Sequence, residues 1–180
     1  MSTNNPTENK PQRGIQVFLS ADGEPLTETQ MPMEGIDESV MAGFEKITGT
    51  GADVTQGETV RCLFSEPGEN GLSLCRAWFK SGFILPRHSH SADCMYYITG
   101  GQLQLGRKVL KKGDGFFVPA DVVYSYEAGP EGVEVLEFRN ATHFNILFKN
   151  NDVSHWERIA KSYNDNAEKW ADETTPPGDG

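Results

Sequence analysis

What most constrains this chain is the texture of residues 59–149, where short apolar runs are cut at close intervals by turn-forming residues. Runs at 59–64 and 72–79 flank the turn signal Pro67-Gly68-Glu69-Asn70-Gly71. Further runs fall at 94–98, 102–105, 107–110, 116–118, 123–127, 132–139 and 143–148. Gly100-Gly101, Gly113-Asp114-Gly115 and Ala128-Gly129-Pro130-Glu131-Gly132 punctuate them as expected turns. No helical period intervenes and no internal repeat is visible. Many short strands at this spacing predict an all-β domain, an antiparallel barrel or sandwich.

The flanks read differently. Residues 1–58 form a polar lead-in; 1–12 have no apolar periodicity and are expected to be disordered. Ile36, Val40, Met41, Phe44 and Ile47 recur at helical spacing, which predicts a short helix packed on the main domain. From Asp152 onward a second helix is expected. Ser154 and Glu157 have capping-box spacing, and Val153, Trp156, Ile159, Ala160 and Tyr163 trace one face, with Trp170 extending it. Thr174-Thr175-Pro176-Pro177-Gly178 ends that helix. The expected organisation is an extension (1–58), a β domain (59–149) and a C-terminal helix with tail (150–180), one domain in a chain of 180 residues.

Charge and hydropathy exclude several functions. Lys and Arg number 16 against 26 Asp and Glu, a formal charge of −10. Such a surface repels phosphate backbones, and no basic recognition helix is present, so nucleic acid is not an expected partner. No apolar run approaches the ~18 residues a membrane helix needs. The first thirty residues lack a basic flank followed by an apolar core, so no signal peptide is expected and a cytoplasmic location is. Cys62, Cys75 and Cys94 are odd in number without paired spacing, in keeping with reduced thiols.

The chemistry concentrates at His88-Ser89-His90. On a strand the two imidazoles of such a triplet project to the same side, an arrangement that suits a metal ion, with two surface histidines as the bland alternative. By the same parity Tyr96 shares the face of Cys94, and Tyr126 that of Tyr124. Glu134 and Glu137 lie on opposite faces of one strand, so one of them can point inward as a proton-handling group. Arg76 and Trp78 share a face, where an interior arginine suits a carboxylate-bearing substrate and a solvated one is the ordinary case. His143 reaches the interior only if the chain turns it inward, and His155 is expected at the surface.

Gly82, His88, His90, Cys94 and Gly101 follow the pattern G-x5-H-x-H-x3,4-E-x6-G, with Cys94 at the Glu position. Gly113, Pro119, Asp121, Tyr124 and Ala128 follow G-x5-P-x-G-x2-H-x3-N, with Asp, Tyr and Ala in place of its Gly, His and Asn. Residues 82–128 thereby resemble the two motifs of the cupin superfamily. The resemblance implies an antiparallel cupin β-barrel (jelly roll) and, commonly, a homodimer. It also implies a site that binds a divalent metal through three histidines and one glutamate, of which only His88 and His90 are matched here. Cys94 is then a third ligand or a pocket thiol, and Tyr124 a hydrogen-bonding proton donor or a ligand. Tyr96, Glu137 and Tyr124 would handle protons, while Tyr126, Arg76, Trp78 and His143 would line a substrate pocket. Two functions remain open. One is a metal-dependent enzyme on a small organic molecule, either an oxygenase or a redox-neutral isomerase or lyase, with iron the first metal expected and Zn, Mn, Ni or Cu as others. The other is a non-catalytic cupin that binds a small ligand after losing its metal.

Overall fold

The computed structural model describes residues 14–49, 51, 53–68 and 71–178; the disorder expected for 1–12 and the centre of the 67–71 turn lie outside these. The strands are β1 (Glu24–Pro25), β2 (Met33–Glu34), β3 (Glu58–Glu66), β4 (Leu72–Phe79), β5 (His88–Ser89), β6 (Cys94–Leu105), β7 (Lys108–Lys111), β8 (Gly115–Val118), β9 (Glu127–Arg139) and β10 (Ile146–Phe148). Two α-helices flank them, α1 (Glu38–Thr48) and α2 (Val153–Asp172). The larger sheet runs β1-β3-β4-β9-β6-β7, with β8 also on β6, and the smaller runs β2-β10-β5. Every pairing is antiparallel except β2 with β10. These mostly antiparallel sheets and two helices are a cupin-type jelly roll. No helix among the described residues is long and apolar enough to cross a membrane.

Alternation along the strands decides what faces inward. In β4, Ser73, Cys75, Ala77 and Phe79 are buried while the residues between them are more exposed. Register then carries this face across the sheet. Cys62 opposes Cys75, Cys75 opposes Glu137, and Glu137 opposes Tyr96, which places all four on the inner surface. Arg139 sits in the next inward-facing row, between Ser73 and Cys94.

Gly113 turns the chain from β7 into β8 as expected, whereas the other two glycine-rich stretches are not turns. Gly100-Gly101 lies inside β6 and Ala128–Gly132 inside β9, both continuous strands. The register shifts between Ile98 and Gly100 and again between Gly101 and Leu103, so the glycines mark bulges where two long strands bend together. Gly101 (φ +69°) and Gly132 (φ +78°) occupy the left-handed region, and a side chain at Gly101 would collide with the Gly132 carbonyl. The run 123–127 is likewise no strand of its own. It touches the neighbouring segment through isolated bridges, Tyr124 with His88 and Glu127 with Ile84.

Both expected helices form. Asp37 caps α1 by accepting from the Val40 N–H, and Val40 and Ile47 are buried beneath it. The cap of α2 is Asp152 rather than Ser154: its carboxylate accepts from the Ser154 and His155 N–H groups. The buried stripe therefore starts at His155 and continues through Trp156, Ile159, Tyr163 and Trp170, leaving Val153 in solvent and His155 inside. The two helices meet where Gly43 lies flat on Trp156, too close for a side chain, with Phe44 edge-on to the indole at 5.4 Å.

Candidate functional site

The sheets and α1 enclose a pocket of about 380 Å³. Its walls are apolar, with Phe44, Ile47, Val60, Phe79, Phe83, Leu85, Ile146 and Phe148 among them, and Leu26, Met31 and Met33 of the extension close one side. Thr48, Thr55 and Glu58 stand at the exposed mouth. Polar groups gather at the buried floor: His88, His90, Tyr124, Glu137 and Arg139.

Backbone pairing builds that floor. The His88 N–H donates to the Tyr124 carbonyl at 3.1 Å and the Tyr124 N–H to the His88 carbonyl at 3.0 Å, which locks the two motifs together. His88 Nδ1 lies 2.7 Å from the Pro86 carbonyl and His90 Nδ1 2.5 Å from the Asn145 carbonyl. A carbonyl can only accept, so both Nδ1 atoms carry the proton and both Nε2 atoms keep a lone pair. Burial pushes each imidazole down to about 4; the neighbouring His90 adds to the effect on His88, and the Arg139 cation to that on His90. Both rings are neutral at pH 7. Their centroids are 4.9 Å apart.

The Tyr124 hydroxyl lies 3.0 Å from His88 Nε2 and 2.5 Å from the Tyr96 hydroxyl. Because Nε2 can only accept, Tyr124 donates to it and receives from Tyr96, a one-directional chain of hydrogen bonds. Burial, followed by the nearby Glu137 carboxylate, holds the Tyr124 phenol well above the usual range, so it stays protonated. Glu137 is the inward member of the Glu134/Glu137 pair. Its Oε2 lies 2.8 Å from Arg139 Nη1, with both side chains almost wholly buried. Glu58, at the mouth, is reached by water yet crowded on all sides; desolvation and then Glu137 push its carboxyl up to about 7.

The structure does not bring every sequence candidate to this pocket. Cys94 is buried on the inner face, but it does not line the pocket, and burial pushes its thiol up to about 12. Tyr126 fills the core edge-on to Phe79 at 5.6 Å. Arg76 and Trp78 point to the outer face of the larger sheet, Arg76 Nε 3.8 Å from Glu134 and the indole under the Lys80 ammonium at 5.0 Å. His143 is exposed, its Nδ1 3.1 Å from the Thr142 hydroxyl. Its neighbours turn inward instead: Phe144 packs on His90 and Arg139, and Asn145 holds His90. Sequence reasoning missed Arg139, Glu58 and the wall supplied by the extension. A signal for Arg139 was present, since it stands two residues beyond Glu137 on the same strand face.

For a metal ion, His88 and His90 fit as ligands. Both imidazoles are neutral, both are oriented by an Nδ1–H donated to main-chain carbonyl oxygen, and their other nitrogens are unprotonated. Tyr124 stands beside them as a neutral phenol. Among the described residues, no three His, Cys, Asp or Glu side chains group to hold a metal. A cation here would be held by two imidazoles, with its other positions left to water or substrate.

An H-x-H strand and a second motif, joined by main-chain bonds inside two mostly antiparallel sheets, decide the architecture. The chain has the cupin fold. No family model matches it, and no curated protein does. Among solved structures the chain is similar to KdgF from Halomonas sp., at 20% identity and a TM-score of 0.41, over 46% of this chain and 79% of that one. It is similar to an RmlC-like cupin from Shewanella frigidimarina at 25% identity and a TM-score of 0.40, over 49% and 79% of the two chains. A protein of unknown function with a cupin-like fold from Ralstonia eutropha matches at 20% identity and a TM-score of 0.43, over 64% and 76%.

Proposed function

We propose that this cupin is an enzyme that takes a small organic molecule into its apolar pocket and works on the molecule's polar end by proton transfer, as a redox-neutral isomerase or lyase. The observation that carries this reading is the directed chain from Tyr96 through Tyr124 to His88 at the pocket floor. His88, its Nδ1–H fixed on Pro86, can take a proton only at Nε2. Tyr124 can give one at its hydroxyl and recover it from His88 Nε2–H 3.0 Å away, which resets both groups, while the Tyr96 hydroxyl stays protonated and keeps the chain directed. A donor and an acceptor held 3.0 Å apart can move a proton between two positions of one substrate. Glu137 holds the Arg139 guanidinium at the same floor. A metal held by His88 and His90 would occupy the Nε2 lone pair of His88 and take the place of its proton-accepting role, supplying Lewis acidity toward a substrate oxygen, with Tyr124 left to handle the proton. Iron is the first ion to assay, then Zn, Mn, Ni and Cu.

The test is deuterium exchange. A panel of enolisable ketones and aldehydes is incubated with the protein in D2O and followed by NMR, with dioxygen uptake and metal content measured in parallel. Native protein should exchange the C–H next to the carbonyl of at least one compound, and Tyr124→Phe should slow this about 10²-fold. Dioxygen consumption would transfer the assignment to an oxygenase. A compound that binds with neither exchange nor dioxygen uptake would make the protein a ligand-binding cupin. His88→Ala or His90→Ala should empty any metal site found. A homodimer and a cytoplasmic location complete the proposal, checked by light scattering at micromolar concentration and by cell fractionation.

A further inference from the structure

Arg139 closes β9 with its side chain 2% exposed. A buried guanidinium has five N–H donors to satisfy, and leaving them unmet is expensive. The usual remedy is a carboxylate held in the plane of the fork by two parallel hydrogen bonds. Glu137 does not supply that here. Its Oε2 lies 2.8 Å from Nη1, yet at an angle too oblique for a hydrogen bond, so both Nε and Nη1 are buried without an acceptor among the described residues. The Phe144 ring lies 4.1 Å from the guanidinium carbon and fixes the position of the group. The apolar walls rise directly from this floor.

We infer that Arg139 is the anchor for an acidic head group: the ligand of this pocket is a small organic monocarboxylate with an apolar body, its carboxylate on the Arg139 fork and its body against the walls. The inference rests on the reading of the pocket as a substrate site and names the substrate class. A planar carboxylate supplies the acceptors that Arg139 lacks, and Phe44, Phe79 and Phe148 bury the rest of the molecule. Glu137 competes for the same cation, so neutralising it frees the fork.

The experiment is titration calorimetry of octanoate and 4-phenylbutanoate against their primary amides, on native protein, with and without EDTA. Each pair has the same shape and differs in charge. The acids should bind about tenfold tighter than the amides, with the margin unchanged by EDTA. Glu137→Gln should widen the margin. The double variant Arg139→Gln with Glu137→Gln removes both charges together and leaves neither buried unpaired, with its fold checked by circular dichroism; it should keep the affinity for the amide and lose the margin. Equal affinity of acid and amide for native protein, failure of the acids to bind, or a margin that survives in the double variant overturns the inference. So does a margin abolished by EDTA, since a metal would then be reading the carboxylate. Acid preference without turnover of any compound refutes the proton-transfer chemistry alone, whereas turnover of neutral carbonyl compounds without acid preference refutes the anchor alone.

Discussion

The buried polar groups under the end of α2 and those at the pocket floor differ in how they are satisfied. Where the C-terminal half of α2 docks on the end of the sheets, Lys80, Ser81, Ser162, Tyr163 and Trp170 each have a partner. The Lys80 ammonium donates to the Trp170 carbonyl at 2.5 Å, and the Trp170 indole N–H returns to the Ser81 carbonyl at 2.9 Å. Ser81 gives both its N–H and its hydroxyl to Glu173. The Tyr163 hydroxyl donates to the Ile84 carbonyl at 2.9 Å and that of Ser162 to the Gly82 carbonyl at 2.6 Å. At the pocket floor Arg139 keeps unspent donors, and Glu137 meets them obliquely. A cluster built for stability spends its hydrogen bonds internally. One that leaves donors over beside a cavity is arranged for something that arrives.

The largest test of that contrast is Trp170→Ala. The indole is wholly buried, stacks near Phe83 and Tyr163, and closes the satisfied cluster. Its removal leaves a cavity and an unmet Ser81 carbonyl, and should cost about 3–5 kcal/mol in urea unfolding. A loss under about 1 kcal/mol would mean that the α2 cluster is not what holds the helix down.

Two tyrosines allow a sharper comparison, because Tyr163→Phe and Tyr124→Phe each remove a single hydroxyl. Tyr163 serves a buried main-chain carbonyl, so its loss should destabilise by about 1–3 kcal/mol. Tyr124 bonds two side chains beside a cavity that water can enter, so its loss should destabilise by less than about 1 kcal/mol. Its effect should appear in the exchange assay instead. Should Tyr124→Phe prove the more destabilising of the two, the floor would belong with the structural cluster.

How much of this was legible in the sequence follows from the range of the signals. Parity along a strand is local, and it placed His88 with His90, Tyr96 beside Cys94, and one of Glu134 and Glu137 inside. The spacing of glycines and histidines carried the fold. What failed was information that depends on distant contacts. Gly100-Gly101 and Ala128–Gly132 have turn composition, and only their pairing with each other makes them bulges. Asp152 outcompetes Ser154 as a cap through hydrogen bonds that composition does not rank. Arg76 and Trp78 obey the parity expected of them, but which face of β4 is interior depends on what covers it. Arg139 closes the same run as Glu137 and shares its parity, but which face of that strand is interior depends on contacts far along the chain. Glu58 fell at the edge of what reads as an extension, and that extension proves to wall the pocket.

Glu58 yields the smallest effect, and it lies between the two clusters in character: a carboxyl without an ion-pair partner among the described residues, at a mouth that water reaches. Crowding by protein and the Glu137 carboxylate raise it from 4.5 to about 7. An acid whose folded value is raised holds its proton in the native state after the unfolded chain has released it. Stability is therefore full below about 4.5, falls as pH rises through the window up to about 7, and is flat above it. Glu58→Gln cannot ionise and should remove that slope. The variant should melt at the native temperature at pH 4 and above it at pH 8, by a modest margin because water at the mouth hydrates the carboxylate. Melting curves at the two pH values decide the matter. An equal difference at both would show that Glu58 titrates as an ordinary surface acid, and that the polar demand of this pocket is confined to its floor.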